Sequence, residues 1–146
     1  LLAELDLVTA SVHSGLGQPG EKITTRIMTA MDHPYVRIIG HPTGRIIGER
    51  AESKLDMARV LSHAAETGTW MELNASWSRL DLKDVYLRQA KEAGVRIAIC
   101  TDSHDVHHLD FMAFGVYTAR RGWLEAQDVV NTLSAKELTR RLAAGK

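Results

Sequence analysis

Val36-Arg37-Ile38-Ile39-Gly40-His41-Pro42-Thr43-Gly44 is a short β-branched run that stops at a glycine and passes straight into a histidine-bearing loop. Past Gly48, Leu55, Ala58, Leu61 and Ala65 fall on one face at helical spacing, and the stretch closes at Gly68. That is strand, polar loop, helix, and the pattern recurs on both sides. Upstream, the run Leu7–Val12 leads through Gly15 and Gly17 into a stretch with Ile23, Ile27, Ala30 and Met31 at helical spacing. Downstream, Thr69–Asn74 reads as a third strand, and Asp81 is the predicted N-cap of a helix carrying Leu82, Val85, Leu87 and Ala90 and closed by Gly94. Val95–Cys100 is the fourth strand. Beyond it the chain turns helical, and Ser134-x-x-Glu137, a capping box with Leu133 and Leu138 as a staple, starts a last helix through Leu142. Runs recurring at roughly 25 to 35 residues are the rhythm of βα units, so the predicted class is α/β with parallel strands.

Composition narrows the function. Lys plus Arg number 18 against 18 Asp plus Glu, which excludes a polybasic nucleic-acid tail. With 45% hydrophobic and 25% charged residues, the chain has the make-up of an ordinary globular domain. Cys100 is the single cysteine, so no internal disulfide forms, and no run reaches the roughly 20 apolar residues of a membrane span. The cytoplasm is the expected compartment, with no membrane partner. Without a linker or low-complexity tract, residues 1–146 are expected to form a single domain or part of one. The absence of an initiator Met and of a signal peptide suggests that Leu1 is a cut within a longer chain.

The chemistry gathers where the strands end. The first runs into Ser11-Val12-His13-Ser14, the second into His41, the third into Glu72-Leu73-Asn74 and the fourth into Thr101-Asp102-Ser103-His104. Parallel strands put all their C-terminal ends on one side, and in (β/α) barrels that side carries the active site. His13, His41, Asp102 and His104 are therefore predicted to converge, and imidazole with carboxylate suits zinc, manganese or iron better than calcium. Glu72 alternates with Met71 and Leu73, which leaves open whether it faces the pocket or the helices. Arg45 and Arg79 follow strand ends on the same side and are candidates, with Asn74, for holding substrate; the competing reading makes both arginines solvated loop residues. Trp77 can stack on an unpaired base or merely pack.

The remaining polar groups read as structural. His63 lies mid-helix, His33 precedes Pro34 at a helix exit, and His107 and His108 open the next helix. Cys100 is expected to be a small hydrophobe, since no thiolate-activating neighbour is visible. Ser14 and Ser103 lack the setting of a nucleophile elbow.

In order and spacing, the four strand-end motifs resemble the later motifs of the PHP (polymerase and histidinol phosphatase) domain. The resemblance covers nearly the whole chain. The segment from Phe111-Met112-Ala113-Phe114-Gly115-Val116 through Ala119-Arg120-Arg121-Gly122-Trp123-Leu124 to Asp128-Val129-Val130-Asn131-Thr132 is similar to the end of bacterial and archaeal family X DNA polymerases.

The resemblance implies a distorted (β/α)7 barrel, TIM-like, holding up to three Mn2+ or Zn2+ ions. By the family pattern His13 and His41 would serve one ion, Asp102 a second and His104 a third, with Glu72 in a supporting role. The family's opening His-x-His motif, its next histidines and its bridging glutamate have no counterpart here. The chain is thus expected to be the C-terminal half of the domain, with about four βα units and the closing helices, and inactive alone. The implied activity is metal-dependent phosphodiester hydrolysis at DNA 3′ ends, a 3′-5′ exonuclease and end-processing role in repair. Its implied partners are an upstream polymerase domain and the first half of the barrel. Alternatives are a stand-alone phosphatase of a small monoester such as histidinol phosphate and a non-catalytic structural remnant.

Overall fold

The computed structural model describes residues 1–144. Four short runs form one parallel sheet in the order β1 (Val8–Ser11), β2 (Val36–Gly40), β3 (Trp70–Asn74) and β4 (Ile97–Cys100). Between them lie α1 (Gly20–Met31), α2 (Met57–Thr67) and α3 (Asp84–Glu92); α4 (Met112–Arg121) and α5 (Ala135–Ala143) follow. A short 3-10 turn at Val106–Phe111 leads into α4. The expected α/β architecture with parallel strands is present. No helix among the described residues is long and apolar enough to cross a membrane.

Side-chain alternation divides the sheet's two faces. Ile39, Met71, Leu73, Ile97 and Ile99 pack on one side against Ile23 and Ile27 of α1, Val60 and Leu61 of α2 and Leu87 of α3. On the other side Ile38, Trp70 and Ala98 meet Val130 and the leucines of α5, Leu138 and Leu142, with Leu133 just before that helix. Both leucines of the predicted staple, Leu133 and Leu138, pack against this cluster. Only half of the capping box forms, however: Ser134 Oγ accepts the Glu137 N–H at 3.2 Å, whereas the Glu137 carboxylate is drawn to Arg140 and Arg141 at 2.8 Å. Two nearby guanidinium groups outbid one backbone donor.

Helix ends follow local rules in one case and depart from them in another. Asp56 caps α2 by accepting the Arg59 N–H, and Gly68, at φ 67°, closes it in the left-handed region. Asp81, the predicted cap of α3, does not cap it. The helix starts three residues later, after Lys83, and Asp81 is fully buried against the loop after β2.

The outer edge of β4 is closed by a side chain. Asn131 Oδ1 accepts the Ile99 N–H at 2.8 Å and its Nδ2 donates to the Ile99 carbonyl at 2.9 Å, so one amide imitates a neighbouring strand. Asn131→Ala is expected to cost about 2 kcal/mol, two hydrogen bonds at about 1 kcal/mol each, in urea unfolding. A loss below a few tenths would mean that water replaces the amide freely.

Candidate functional site

Register sets the site. Ser11 lies beside Gly40, and Glu72 beside Ala98; Asn74 and Cys100 pair one row further on. All share the face whose lower half α5 covers, and their upper rows are polar. Gly40 is required here: a Cβ would collide with Ser11 Oγ and lie 3.5 Å from Glu72 Oε2. Glu72 therefore faces the site, which settles the ambiguity of its alternation.

Just past the strands the backbone bends sharply. His41 has φ 27° and Asp102 φ 53°, both in the left-handed region that non-glycine residues seldom occupy. Such conformations cost of order 1–3 kcal/mol each and persist where the surroundings enforce them. One enforcing contact is a short hydrogen bond from the His41 N–H to Glu72 Oε2. A second comes from Asp81, whose carboxylate accepts the Thr43 and Gly44 N–H groups at 3.0 and 2.9 Å. Asp81 also exchanges backbone hydrogen bonds with Asn74. One buried residue thus ties the loop after β2 to the end of β3.

The candidate ligands lie as follows. The rings of His13 and His41 meet edge to face with centroids 5.0 Å apart. His41 is buried and its Nδ1 is the one sealed side-chain polar atom without a hydrogen-bond partner among the described residues. Burial and the Arg79 charge lower its pKa, so its ring is neutral and can donate a lone pair. Asn74, fully buried, donates through Nδ2 to Asp102 Oδ2 at 3.1 Å and to Glu72 Oε2 at 3.4 Å, linking the two carboxylates. Arg79 Nε stands 3.7 Å from Asp102 Oδ2. His104 is exposed, and its Nδ1 donates to the Asp102 carbonyl at 2.7 Å, which leaves Nε2 as the free lone pair. His108 Nδ1 accepts the His104 N–H at 3.2 Å and its ring stacks on Phe111.

The structure thus joins His13 to His41, and Glu72, Asn74, Asp102 and Arg79 to one another, while His104 hangs from the Asp102 backbone. Among the described residues no group of three or more His, Cys, Asp or Glu side chains is arranged to hold an ion. The donor chemistry fits a metal, because a buried neutral imidazole nitrogen without a partner is a ligand in search of a Lewis acid. Arg45 is spent otherwise: it donates to the backbone carbonyls of Arg79 (2.6 Å) and Leu80, bracing the loop after β3. Trp77 stands 63% exposed beside this loop. His63 and His33 have local partners, Asp32 Oδ1 at 2.7 Å and the Tyr35 N–H at 3.3 Å. Cys100 is half-buried, and burial with the Glu72 carboxylate nearby pushes its thiol up to about 12, so it is no nucleophile.

Burial raises Glu72 from 4.5 to about 7, against the His41 and Asn74 donors that pull the other way. It raises Asp81 from 3.8 to about 6. Raised carboxyl pKa values hold the folded state best when protonated. Their contribution is complete below the unfolded pKa and is lost as pH climbs through the folded one. The metal-free chain is expected to lose stability between pH 5 and 8, and Glu72→Gln to reduce that loss by about 2 kcal/mol, at about 1.4 kcal/mol per pKa unit. Urea unfolding at both pH values checks it; an undiminished slope in the variant would assign the loss elsewhere.

No family model matches the chain. It is 45% identical over 138 residues to the DNA polymerase/3′-5′ exonuclease PolX of Bacillus subtilis, covering 94% of this chain and 24% of that protein. It is 36% identical over 113 residues to a protein named "probable phosphatase" from Caldanaerobacter subterraneus subsp. tengcongensis, covering 71% of this chain and 42% of that one. A "probable phosphatase" of Thermoanaerobacter sp. matches at 36% over 113 residues, with 71% and 44% covered. The chain spans about a quarter of the polymerase's length and less than half of each phosphatase's.

Proposed function

We propose, on the premise that this chain belongs to the PHP (polymerase and histidinol phosphatase) family, that it forms part of a metal-dependent phosphoesterase acting on DNA 3′ ends. In this reading its four-stranded sheet is a sector of a distorted (β/α)7 barrel. The complete protein then works as a 3′-5′ exonuclease and end-processing nuclease beside a family X polymerase domain.

One observation carries the reading: His41 Nδ1 is sealed in the protein without a partner, 5.0 Å ring to ring from His13 at the C-terminal end of the sheet. His13 and His41 would hold one Mn2+ or Zn2+ ion, Asp102 a second, and His104 through Nε2 a third. When bound, such ions supply Lewis acidity at the phosphoryl oxygens and acidify an attacking water. The chain's own groups do the rest. Asn74 fixes the orientation of the Asp102 carboxylate, and Glu72 holds the His41 backbone in its bent conformation. Arg79, beside Asp102, would meet a phosphate oxygen, and the exposed Trp77 would stack on a frayed terminal base. Arg45 contributes by bracing the Arg79 loop.

DNA is favoured over a small monoester because the match to the polymerase/exonuclease runs over 94% of this chain, against 71% for the phosphatase relatives. The test is degradation of end-labelled single-stranded DNA by the complete protein with Mn2+, beside p-nitrophenyl phosphate. A 3′-to-5′ ladder supports the nuclease. Turnover of the monoester with intact DNA would replace it by the phosphatase, and inertness toward both would leave a structural role.

A further inference from the structure

A cavity of about 310 Å3 opens at the other end of the sheet, where the strands begin. Arg37 is the second residue of β2, Trp70 opens β3 and Arg96 immediately precedes β4; Arg141 reaches in from α5. Among the described residues the lining contains three guanidinium groups and no carboxylate. Arg37 is only 8% exposed, and its one hydrogen bond runs from Nη2 to the Leu142 carbonyl at 2.9 Å. Arg37 lines the cavity, and no other hydrogen bond of its guanidinium is found among the described residues. Arg96 likewise spends a single donor, Nη1, on the Gln127 carbonyl at 3.0 Å. Of the three, among the described residues, Arg141 alone has an acid partner, Glu137 at 2.8 Å, which it shares with Arg140.

The carbonyl ends of α2 and α3 point toward this side, and a simpler view is that the arginines serve only to offset them. The magnitudes argue otherwise. Two helix ends amount to roughly one negative charge, screened and partly exposed, whereas Arg37 and Arg96 bring two full charges with no carboxylate beside them among the described residues. Guanidinium groups gathered at one cavity, two of them without a carboxylate partner among the described residues, match a dianion that accepts their remaining N–H donors. The volume lies at the lower end for small-ligand pockets.

We propose that this cavity is an anion site that takes a small phosphate-bearing ligand between Arg37, Arg96 and Arg141, at the end of the sheet opposite His13 and His41. It does not depend on the nuclease reading, since no residue is shared between the two sites.

The test is a calorimetric titration of the chain with inorganic pyrophosphate in EDTA, so that no metal at the strand C-terminal ends contributes. Saturable binding is expected, weakened at least tenfold by Arg37→Leu and by Arg96→Ala, and unchanged by His13→Ala. Arg96 is half-exposed at a strand entrance, so its variant stays folded even if the buried Arg37 does not tolerate change; circular dichroism verifies this. Absent saturation, unchanged affinity in Arg96→Ala, or loss in His13→Ala would overturn the site. If pyrophosphate fails to bind while single-stranded DNA binds and is lost in Arg96→Ala, the groove holds nucleic-acid backbone and the small-anion assignment falls.

Discussion

His41→Ala in the complete protein is expected to lower metal-dependent phosphodiester hydrolysis about a thousandfold, with little change in Tm. The rate loss follows from removing a donor whose ion supplies several kcal/mol, at 1.36 kcal/mol per decade. The modest effect on folding follows from the same observation that marks the residue. His41 Nδ1 makes no hydrogen bond, so its removal breaks no side-chain bond of that atom, and the contact that holds the loop belongs to the His41 backbone. A purely structural histidine would show the reverse, lost stability with retained rate. His33→Ala and His63→Ala are the controls, because both rings are engaged locally away from the strand ends. A His41→Ala enzyme within tenfold of the parent rate would remove this imidazole from the ligand set.

Asp81→Ala is expected to cost about 3 kcal/mol of stability, more than Asn131→Ala, and to depress hydrolysis as well. Two buried N–H groups, of Thr43 and Gly44, would lose their acceptor, at about 1–3 kcal/mol for each group left unsatisfied. The loop they belong to begins at His41, so its loosening displaces the imidazole. Asp81→Asn keeps one acceptor oxygen and no longer has a charge to bury, and is expected to recover part of both losses. Chemical denaturation and kcat of the two variants separate the cases. Equal stability of Asp81→Ala and the parent would show that water reaches these amides.

Much of this arrangement was legible in the sequence. Short β-branched runs at regular spacing give the four parallel strands, and parallel order places His13, His41, Asp102 and His104 at one end whatever their separation along the chain. Leu133 and Leu138 announced the face α5 covers. What escaped was long-range. Asp81 looked like a helix cap because an acid before an amphipathic stretch is the usual local signal, but its partners lie nearly 40 residues away, in the Thr43–Gly44 loop. Asn131 closing the β4 edge and Asn74 linking two carboxylates are likewise contacts between distant residues that leave no periodic trace. Gly40 had a readable signal, a glycine at a strand end before a histidine, yet its reason, the room taken by Ser11 and Glu72, needs register. Arg45 was misleading in the same way: nothing local distinguishes a guanidinium aimed at phosphate from one spent on carbonyls.

The central claim, that the strand ends form a metal site, is tested most directly by titrating Mn2+ into isotope-labelled chain and following paramagnetic broadening by NMR. Even weak binding suffices, because broadening falls off steeply with distance from the ion. The expected result is early loss of the His13 and His41 ring signals and of the Asp102 and His104 amides, while His33 and His63 stay sharp. Broadening centred on the surface acids Asp32 and Glu66, or none at any concentration, would contradict it.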